Sequence, residues 1–332
     1  MRVVIIGASG NLGSAAVREL SDRGHDVVGV ARRRPESHGA ESAGSVRWVA
    51  ADVATDDLGD VLAGADAVVL LAWKFQPTHR PEETWATNAV GSRRVLEAVR
   101  RQGVGALVYV SSIAAYSPAP HGRVVDESWA TDGTSAAMYC REKAYVERAL
   151  DAFEASDGAT RVVRFRPAFV FQRSAASEQR RIFGGALARP GMFRPGRIPM
   201  LPVPRGLQLQ AVHAGDVARA LAAAVEQPVT GAFNLAAEGL LRRQELGELL
   251  ETRTMEVPQS LVAPALQTAW AARVAPVPGT LATAAMRLPL LDVTRAREEL
   301  GWEPRHTALE AVSQAVQGMA ERAGSEMPPL RP

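Results

Sequence analysis

The sequence predicts an α/β protein: a doubly wound parallel sheet that carries a smaller C-terminal α/β substrate subdomain. Three observations predict it. The chain opens on a continuous apolar run, Val3, Val4, Ile5 and Ile6, followed at once by Gly7, Gly10 and Gly13 and a helical pattern over residues 14–20. Short apolar runs recur at 26–31, 46–50, 67–72, 106–110 and 161–166, with room for a crossover helix between most of them. Strands buried on both faces read as continuous apolar runs, and parallel strands need long crossovers. The second half then changes character, with Pro, Gly and Arg crowding residues 173–205.

Each element carries its own expectation. Strand, glycine turn and helix aim backbone N–H groups and a helix N-terminus at a pyrophosphate. Gly7 permits the turn, Gly10 lets phosphates approach the backbone, and Gly13 lets the helix pack on the strand. An ordinary glycine-rich turn is the plain alternative. At the end of the second strand, where a carboxylate would hold the ribose of NAD, the chain reads Ala31, Arg32, Arg33, Arg34. A guanidinium suits a 2′-phosphate by charge and bidentate geometry, so NADP is expected over NAD. A solvated basic loop is the competing reading. The third strand leads to Asp52 and Val53, with Asp52 placed to accept from an adenine amino group, to cap the next segment, or both. The fourth leads into Trp73, Lys74 and Phe75, where α/β folds bind ligands. Packing on the next helix explains these aromatics as well.

A long helix is expected over 82–101 with Asn88 inside it, and the fifth strand ends in Ser111 and Ser112. Residues 117–134 read as irregular, 135–153 as a helix bearing Tyr139 and Lys143, and Pro167 closes the sixth strand. Beyond it lie a helical patch at 178–188, a strand at 207–212, and a helix at 216–227 with Asp216 as N-cap and Pro228 as terminator. A short strand at 233–236, helices at 242–251, 294–300 and 308–321, and a disordered tail follow. The dinucleotide-binding domain is therefore expected over 1–170 together with 207–227 and 233–236. The substrate subdomain takes 171–206 and 237–322, and the tail 323–332.

Composition excludes several classes. The 332 residues are 47% hydrophobic and 22% charged, enough chain for a large core. A single cysteine, Cys140, allows no internal disulfide and fits a cytoplasmic setting. A strand starting at residue 2 leaves no room for a signal peptide. A net charge of +2 with scattered basic residues makes no case for nucleic acid. Residues 261–291 are apolar, but Pro264, Arg273, Pro276, Pro278 and Arg287 interrupt them too often for a membrane span. That stretch suits core, a pocket wall or the face of a homodimer. No metal is expected, and the expected partner is a small-molecule substrate.

The chemistry gathers on Ser112, Tyr139 and Lys143. Tyr139 and Lys143 are four apart and share a helix face. A phenol with a pKa of about 10 is a poor acid or base at neutral pH, but a nearby ammonium favours the phenolate. A serine at the carboxyl edge of the sheet can hold a substrate oxygen beside the phenol. Alone, such a pair is more often a surface contact. Beside Ser112 and the glycine loop, hydride transfer between a carbinol carbon and a nicotinamide is the better reading.

These pieces resemble the extended short-chain dehydrogenase/reductase family, in its NAD-dependent epimerase/dehydratase group, built on the Rossmann fold. The resemblance runs from GASGNLG at Gly7 through AADV at Ala50, NAVGSRRVLEA at Asn88, LVYVSSIAAYS at Leu107 and YCREK at Tyr139. It continues with VHAGDVARAL at Val212, FNLAAEG at Phe233 and LDVTRAREELGWEPR at Leu291. It implies Ser112, Tyr139 and Lys143 as catalytic. It implies Gly7, Ser9, Gly10, Asn11, Leu12, Gly13, Asp52, Val53, Ala72, Trp73 and Pro167 at the cofactor, with Asn88 behind it. Substrate contacts are expected from Trp73, Phe75, Ser112, Ile113 and Phe169, and from parts of 173–205 and 260–288. Departures narrow the substrate. Ile113 and Ala114 stand where sugar-nucleotide dehydratases carry an acidic pair. Phe169 and Leu209 stand where many sugar-nucleotide enzymes carry Asn and Arg, although Arg189, Arg194, Arg197 and Arg205 offer phosphate contacts elsewhere. The leading expectation is an NAD(P)-dependent oxidoreductase acting on a carbonyl or secondary alcohol. A sugar-nucleotide epimerase is the alternative, followed by a dinucleotide-sensing regulator.

Overall fold

Val3, Val4 and Ile5 are fully buried, which fixes the first strand at the centre of the molecule. The computed structural model describes residues 1–35, 46–156, 158–185 and 188–332. Strand β1 (Arg2–Ile6) turns into α1 (Asn11–Asp22), and the chain continues through β2 (Asp26–Ala31), β3 (Arg47–Ala50), α2 (Gly59–Leu62) and β4 (Ala67–Leu70). Next come α3 (Pro81–Trp85), α4 (Gly91–Arg101), β5 (Ala106–Val110), β6 (Val124–Val125), α5 (Met138–Ser156) and β7 (Arg161–Pro167). The second half adds β8 (Phe169–Phe171), α6 (Ala176–Gly184), β9 (Met200–Pro204), β10 (Ala211–His213), α7 (Ala214–Glu226) and β11 (Gly231–Leu235). It closes with α8 (Arg243–Leu250), β12 (Arg253–Val257), α9 (Gln259–Ala271), α10 (Gly279–Ala285), β13 (Leu290–Leu291), α11 (Thr294–Leu300) and α12 (Ala308–Glu321).

Seven parallel strands form one sheet in the order β11-β7-β5-β4-β1-β2-β3. Successive residues of β1 point to opposite faces. Val3 and Ile5 pack with Leu20, Val217, Leu221 and Trp302 on one side, and Val4 and Ile6 pack with Val95, Val99, Val146 and Leu150 on the other. The fold is the doubly wound α/β sheet. The strand order reverses between β1 and β4, paired Ile6 to Leu70, and such a switch point opens a crevice at the carboxyl ends of the strands.

The turn after β1 has no room for side chains. A Cβ at Gly7 would lie 2.5 Å from the Ala72 nitrogen, and one at Gly13 would lie 2.1 Å from the Gly7 carbonyl oxygen. Gly7 also holds φ at +92°, a region that favours glycine.

Several boundaries differ from the sequence expectation, each for a local reason. The helix expected at 82–101 is interrupted by a π-helical turn, Ala86–Val90. This turn carries Asn88 inward, where Oδ1 accepts the Lys74 N–H at 2.7 Å and Nδ2 donates to the Lys74 carbonyl at 3.1 Å and to Glu142 at 2.7 Å. The N-cap of α7 is His213, whose Nδ1 accepts the Gly215 N–H at 3.1 Å, and not Asp216. Asp216 is fully buried and binds Arg219 at 2.7 Å and the His306 N–H at 3.1 Å. His213, Asp216 and His306 bring their ligand atoms within 4.8 Å, but these protein partners already engage them. Inside the loop expected to be irregular, β6 pairs with β13. The tail expected to be disordered packs instead: Leu330 is fully buried, and Arg181 donates to the Pro329 and Arg331 carbonyls, each at 2.8 Å.

Beneath the crevice a buried ion cluster ties α5 to the sheet. Glu147 is fully buried and accepts from Arg166 at 2.9 and 3.1 Å and from Arg164 at 3.2 Å. Arg164 also reaches Asp151 and Glu154. Burial alone would raise the Glu147 carboxyl, but the hydrogen bonds and charge of Arg166 win and hold it down at about 2. A depressed carboxylate stabilises the fold above its ordinary value of 4.5 and loses that stabilisation as pH falls toward about 2. Removing one partner of a buried pair costs about 3–5 kcal/mol, because the other charge stays buried. Glu147→Gln is therefore expected to lower unfolding stability at pH 7 by that amount and to flatten its acid dependence below pH 4.5. Urea titrations across pH check this, and a loss below about 1 kcal/mol would contradict it.

Candidate active site

Tyr139, Lys143 and Glu147 follow one another at four-residue spacing on α5, so they form a stripe on one face. That face lies on the ends of β5 and β7. Glu147 anchors its base, and Lys143 stands one turn higher. Lys143 is 3% exposed, and Nζ donates to the Val110 carbonyl at 2.9 Å and to the Tyr109 hydroxyl at 3.3 Å. The ammonium also sits 3.5 Å from the centre of the Trp73 ring, a cation–π contact. Burial pushes Lys143 down to about 7, against the pull of Glu147 and Glu142.

Tyr139 stands at the top of the stripe. Its ring meets Phe75 and Trp73 edge-on, at 4.9 and 5.9 Å between centroids. Burial pushes its phenol above the ordinary value, and a hydrogen bond with Ser112 offsets part of that push. Ser112 lies two residues past β5 and caps a 3-10 turn, Ile113–Ala115, where its Oγ accepts the Ala114 N–H at 3.1 Å. Ser112, Tyr139 and Lys143 therefore all line one cavity.

They line a cavity of about 440 Å³. One end is the glycine loop, with Gly7, Gly10, Asn11, Leu12 and Gly13. The middle holds Trp73, Phe75, Ser112, Ile113, Tyr139, Lys143, Pro167 and Phe169. Among the described residues that line it, Lys143 is the one cation and Glu178 the one carboxylate. The remaining wall is mostly aliphatic and aromatic.

The loop fits a dinucleotide. Helix α1 begins at Gly10 with no side-chain cap and no acidic residue in its first turn. Its first N–H groups and its dipole are left for an anion. A Cβ at Gly10 would meet nothing nearer than the Gly7 carbonyl oxygen at 3.6 Å, so this glycine faces open cavity. Trp73 Nε1 is buried with no hydrogen-bond partner, a donor available to a bound group.

Other expected cofactor contacts stand outside the cavity wall. Ser9 is buried in the loop, and Ala72 backs against Gly7. Val53 is buried beside Asp52, and Asp52 Oδ1 accepts the Ala54 N–H at 2.9 Å, which closes a local turn; the next helix, α2, has Leu58 and not Asp52 at its N-cap. Asn88 lies behind the site in the π-helical turn. Arg32 and Arg33 are exposed just past β2, and residues 36–45 beyond them lie outside the described chain. Arg189, Arg194, Arg197 and Arg205 are exposed and do not line the cavity. Leu209 bridges to Leu241 instead.

Parts of segments 173–205 and 260–288 also line the cavity. The wall residues are Glu178, Gln179, Ile182 and Phe183 on α6, with Val277, Leu281, Ala285 and Leu288 on and around α10. Their signal was the three- and four-residue spacing of one helix face, weak in so short a helix. Among the described residues, no helix is long and apolar enough to cross a membrane.

Comparison with known proteins agrees with this architecture. The chain is 26% identical to an uncharacterized protein of Mycobacterium tuberculosis over 98% of its own length, but spans only 31% of that protein. It is 27% identical to UDP-glucose 4-epimerase of Corynebacterium glutamicum, covering 94% of this chain and 93% of that one. The structure of a UDP-glucose-4-epimerase from Stenotrophomonas maltophila, with bound NAD and formylated UDP-arabinopyranose, shares the fold. Its TM-score is 0.74 at 21% identity, over 97% of this chain and 98% of that one. A family model, NAD dependent epimerase/dehydratase, matches residues 3–236. The chain belongs to the NAD dependent epimerase/dehydratase family.

Proposed function

We propose that the protein is a nicotinamide-dependent oxidoreductase that interconverts a carbonyl and a secondary alcohol on an uncharged, largely apolar substrate. One observation carries the reading: Ser112, Tyr139 and Lys143 share a cavity whose other wall is built from Phe169, Phe171, Phe183, Leu281 and Leu288. Such a wall binds apolar surface at about 25 cal/mol per Å² buried. It offers a diphosphate no guanidinium, and burying an unpaired charge is costly.

The residues divide the work. The Ser112 hydroxyl holds the substrate oxygen beside Tyr139. Tyr139 gives a proton to that oxygen, or takes one from it, through its own hydroxyl. Lys143, held by the Val110 carbonyl, supports the phenolate by its charge. Phe75 and Trp73 pack against the Tyr139 ring and limit its motion. When bound, a nicotinamide dinucleotide supplies the hydride donor or acceptor and, if oxidised, a positive charge that also favours the phenolate.

Cofactor choice rests on Arg32 and Arg33, which follow β2 where a carboxylate would select the ribose hydroxyls of NAD. We infer NADP. An epimerase that oxidises and re-reduces one carbon is the second reading, favoured by the near full-length likeness to the Corynebacterium enzyme.

Tyr139→Phe is expected to cut turnover by about 10²–10⁴-fold while cofactor affinity stays nearly unchanged, since the phenol moves the proton. Lys143→Ala is expected to impair both. Steady-state rates and cofactor fluorescence titration check this, and a Tyr139→Phe protein with near wild-type turnover would refute the assignment. For the cofactor, NADPH is expected to bind more tightly than NADH, and Arg32→Ala with Arg33→Ala is expected to erase the difference. A preference for NADH that ignores those substitutions would sink the NADP assignment.

A further inference from the structure

Helix α6 brings two hydrogen-bond acceptors into an otherwise apolar wall. Glu178 and Gln179 both line the cavity. Gln179 is 5% exposed, and its Nε2 donates to the Val170 carbonyl at 2.9 Å. That contact fixes the amide, and its Oε1 is left buried with no partner. Glu178 has Arg181 as its electrostatic neighbour and no hydrogen bond to a described residue, and burial pushes its carboxyl up to about 7. A buried acceptor without a donor, as Gln179 Oε1 is, costs free energy that a ligand can recover.

The helix also places the pair. Asn11 of the glycine loop donates to the same Val170 carbonyl as Gln179, so this end of α6 borders the dinucleotide loop. One turn on, Phe183 meets Phe75 at 5.7 Å, and Phe75 meets Tyr139 at 4.9 Å. The two acceptors therefore stand in the wall that runs from the loop to the reacting hydroxyl. What Gln179 Oε1 lacks is a donor. A carboxylate or phosphate at this point would face the Gln179 carbonyl oxygen and, where Glu178 is ionised, a like charge, whereas a hydroxyl or amine N–H donates to both.

We propose that Glu178 and Gln179 form a donor-reading subsite, which selects substrates bearing a hydroxyl or amine apart from the reacting carbon and excludes those bearing an anion. The proposal rests on the oxidoreductase reading only in taking the Tyr139 cavity as the substrate site.

The test is equilibrium binding of a methyl ketone series, CH₃CO(CH₂)ₙX, to the protein loaded with oxidised dinucleotide, where no turnover occurs. Chain length n is varied, and X is hydroxyl, ammonium, methoxy or carboxylate. Hydroxyl or ammonium is expected to bind about 10-fold tighter than methoxy at one or more lengths, and carboxylate weakest. Glu178→Leu and Gln179→Leu are each expected to remove most of that preference, and the near-isosteric Glu178→Gln to relieve the exclusion of the carboxylate. Tighter binding of hydroxyl than of ammonium agrees with the uncharged substrate proposed above; tighter binding of ammonium supports the subsite and overturns that charge assignment. Equal binding of hydroxyl and methoxy at every length would overturn it, as would no binding by any member. A preference that survives both leucine variants would overturn it too. So would a larger effect of Glu178→Gln on dinucleotide affinity than on ketone affinity, which would assign the carboxyl to the cofactor. Reduction of the same ketones with NADPH, followed separately, tests the oxidoreductase reading: selective binding without turnover would leave the subsite standing and remove that reading.

Discussion

Glu147 holds helix α5 at a fixed height over the sheet. Its two carboxylate oxygens are taken by Arg164 and Arg166 on β7, deep in the core, where neither side can relax into water. One turn above, Lys143 is tied to the Val110 carbonyl at the end of β5. One turn above that, Tyr139 meets Ser112. The helix is in effect a ruler with three marks. Its lowest mark is set by charge, its middle by a buried ammonium, and its highest is the Tyr139 hydroxyl. Stability and chemistry are thus linked along one stripe, since loosening the ion cluster would shift the phenol relative to Ser112.

The cavity has two ends built by different means. At the glycine-loop end the chain removes side chains: Gly7 and Gly13 let backbone pack on backbone, and Gly10 leaves an uncapped helix N-terminus facing open space. At the other end it adds them, with Phe169, Phe171 and Phe183 and the residues of α10. The first end suits a charged, invariant group. The second suits a group of modest polarity, whose shape the wall can select.

That difference explains what could be read from the sequence. Backbone-built features leave local marks, because an apolar run bounded by Gly or Pro can form little else. Strands β2 and β5 and helices α11 and α12 fall on the residues expected of them. The Tyr139–Lys143 pair was legible because four-residue spacing needs no tertiary knowledge. The misses depend on distant partners. Asp216 looks like an N-cap until Arg219 and His306 claim it, which leaves the cap to His213. The π-helical turn answers to Asn88 reaching Lys74 and Glu142. The tail orders because Leu330 finds a buried site and Arg181 meets its carbonyls. Glu178 and Gln179 carry no local mark at all, since their place in the cavity is set by where α6 packs.

The central claim is that Ser112, Tyr139 and Lys143 serve a mainly apolar pocket that takes an uncharged substrate. The most direct measurement sets UDP-glucose against uncharged aliphatic and aromatic ketones, as ligands of the dinucleotide-loaded protein and as substrates. The account predicts turnover of one or more uncharged carbonyls or alcohols and no micromolar binding of UDP-glucose. Micromolar binding of UDP-glucose, with no activity on any simple carbonyl or alcohol, would contradict it and favour the epimerase.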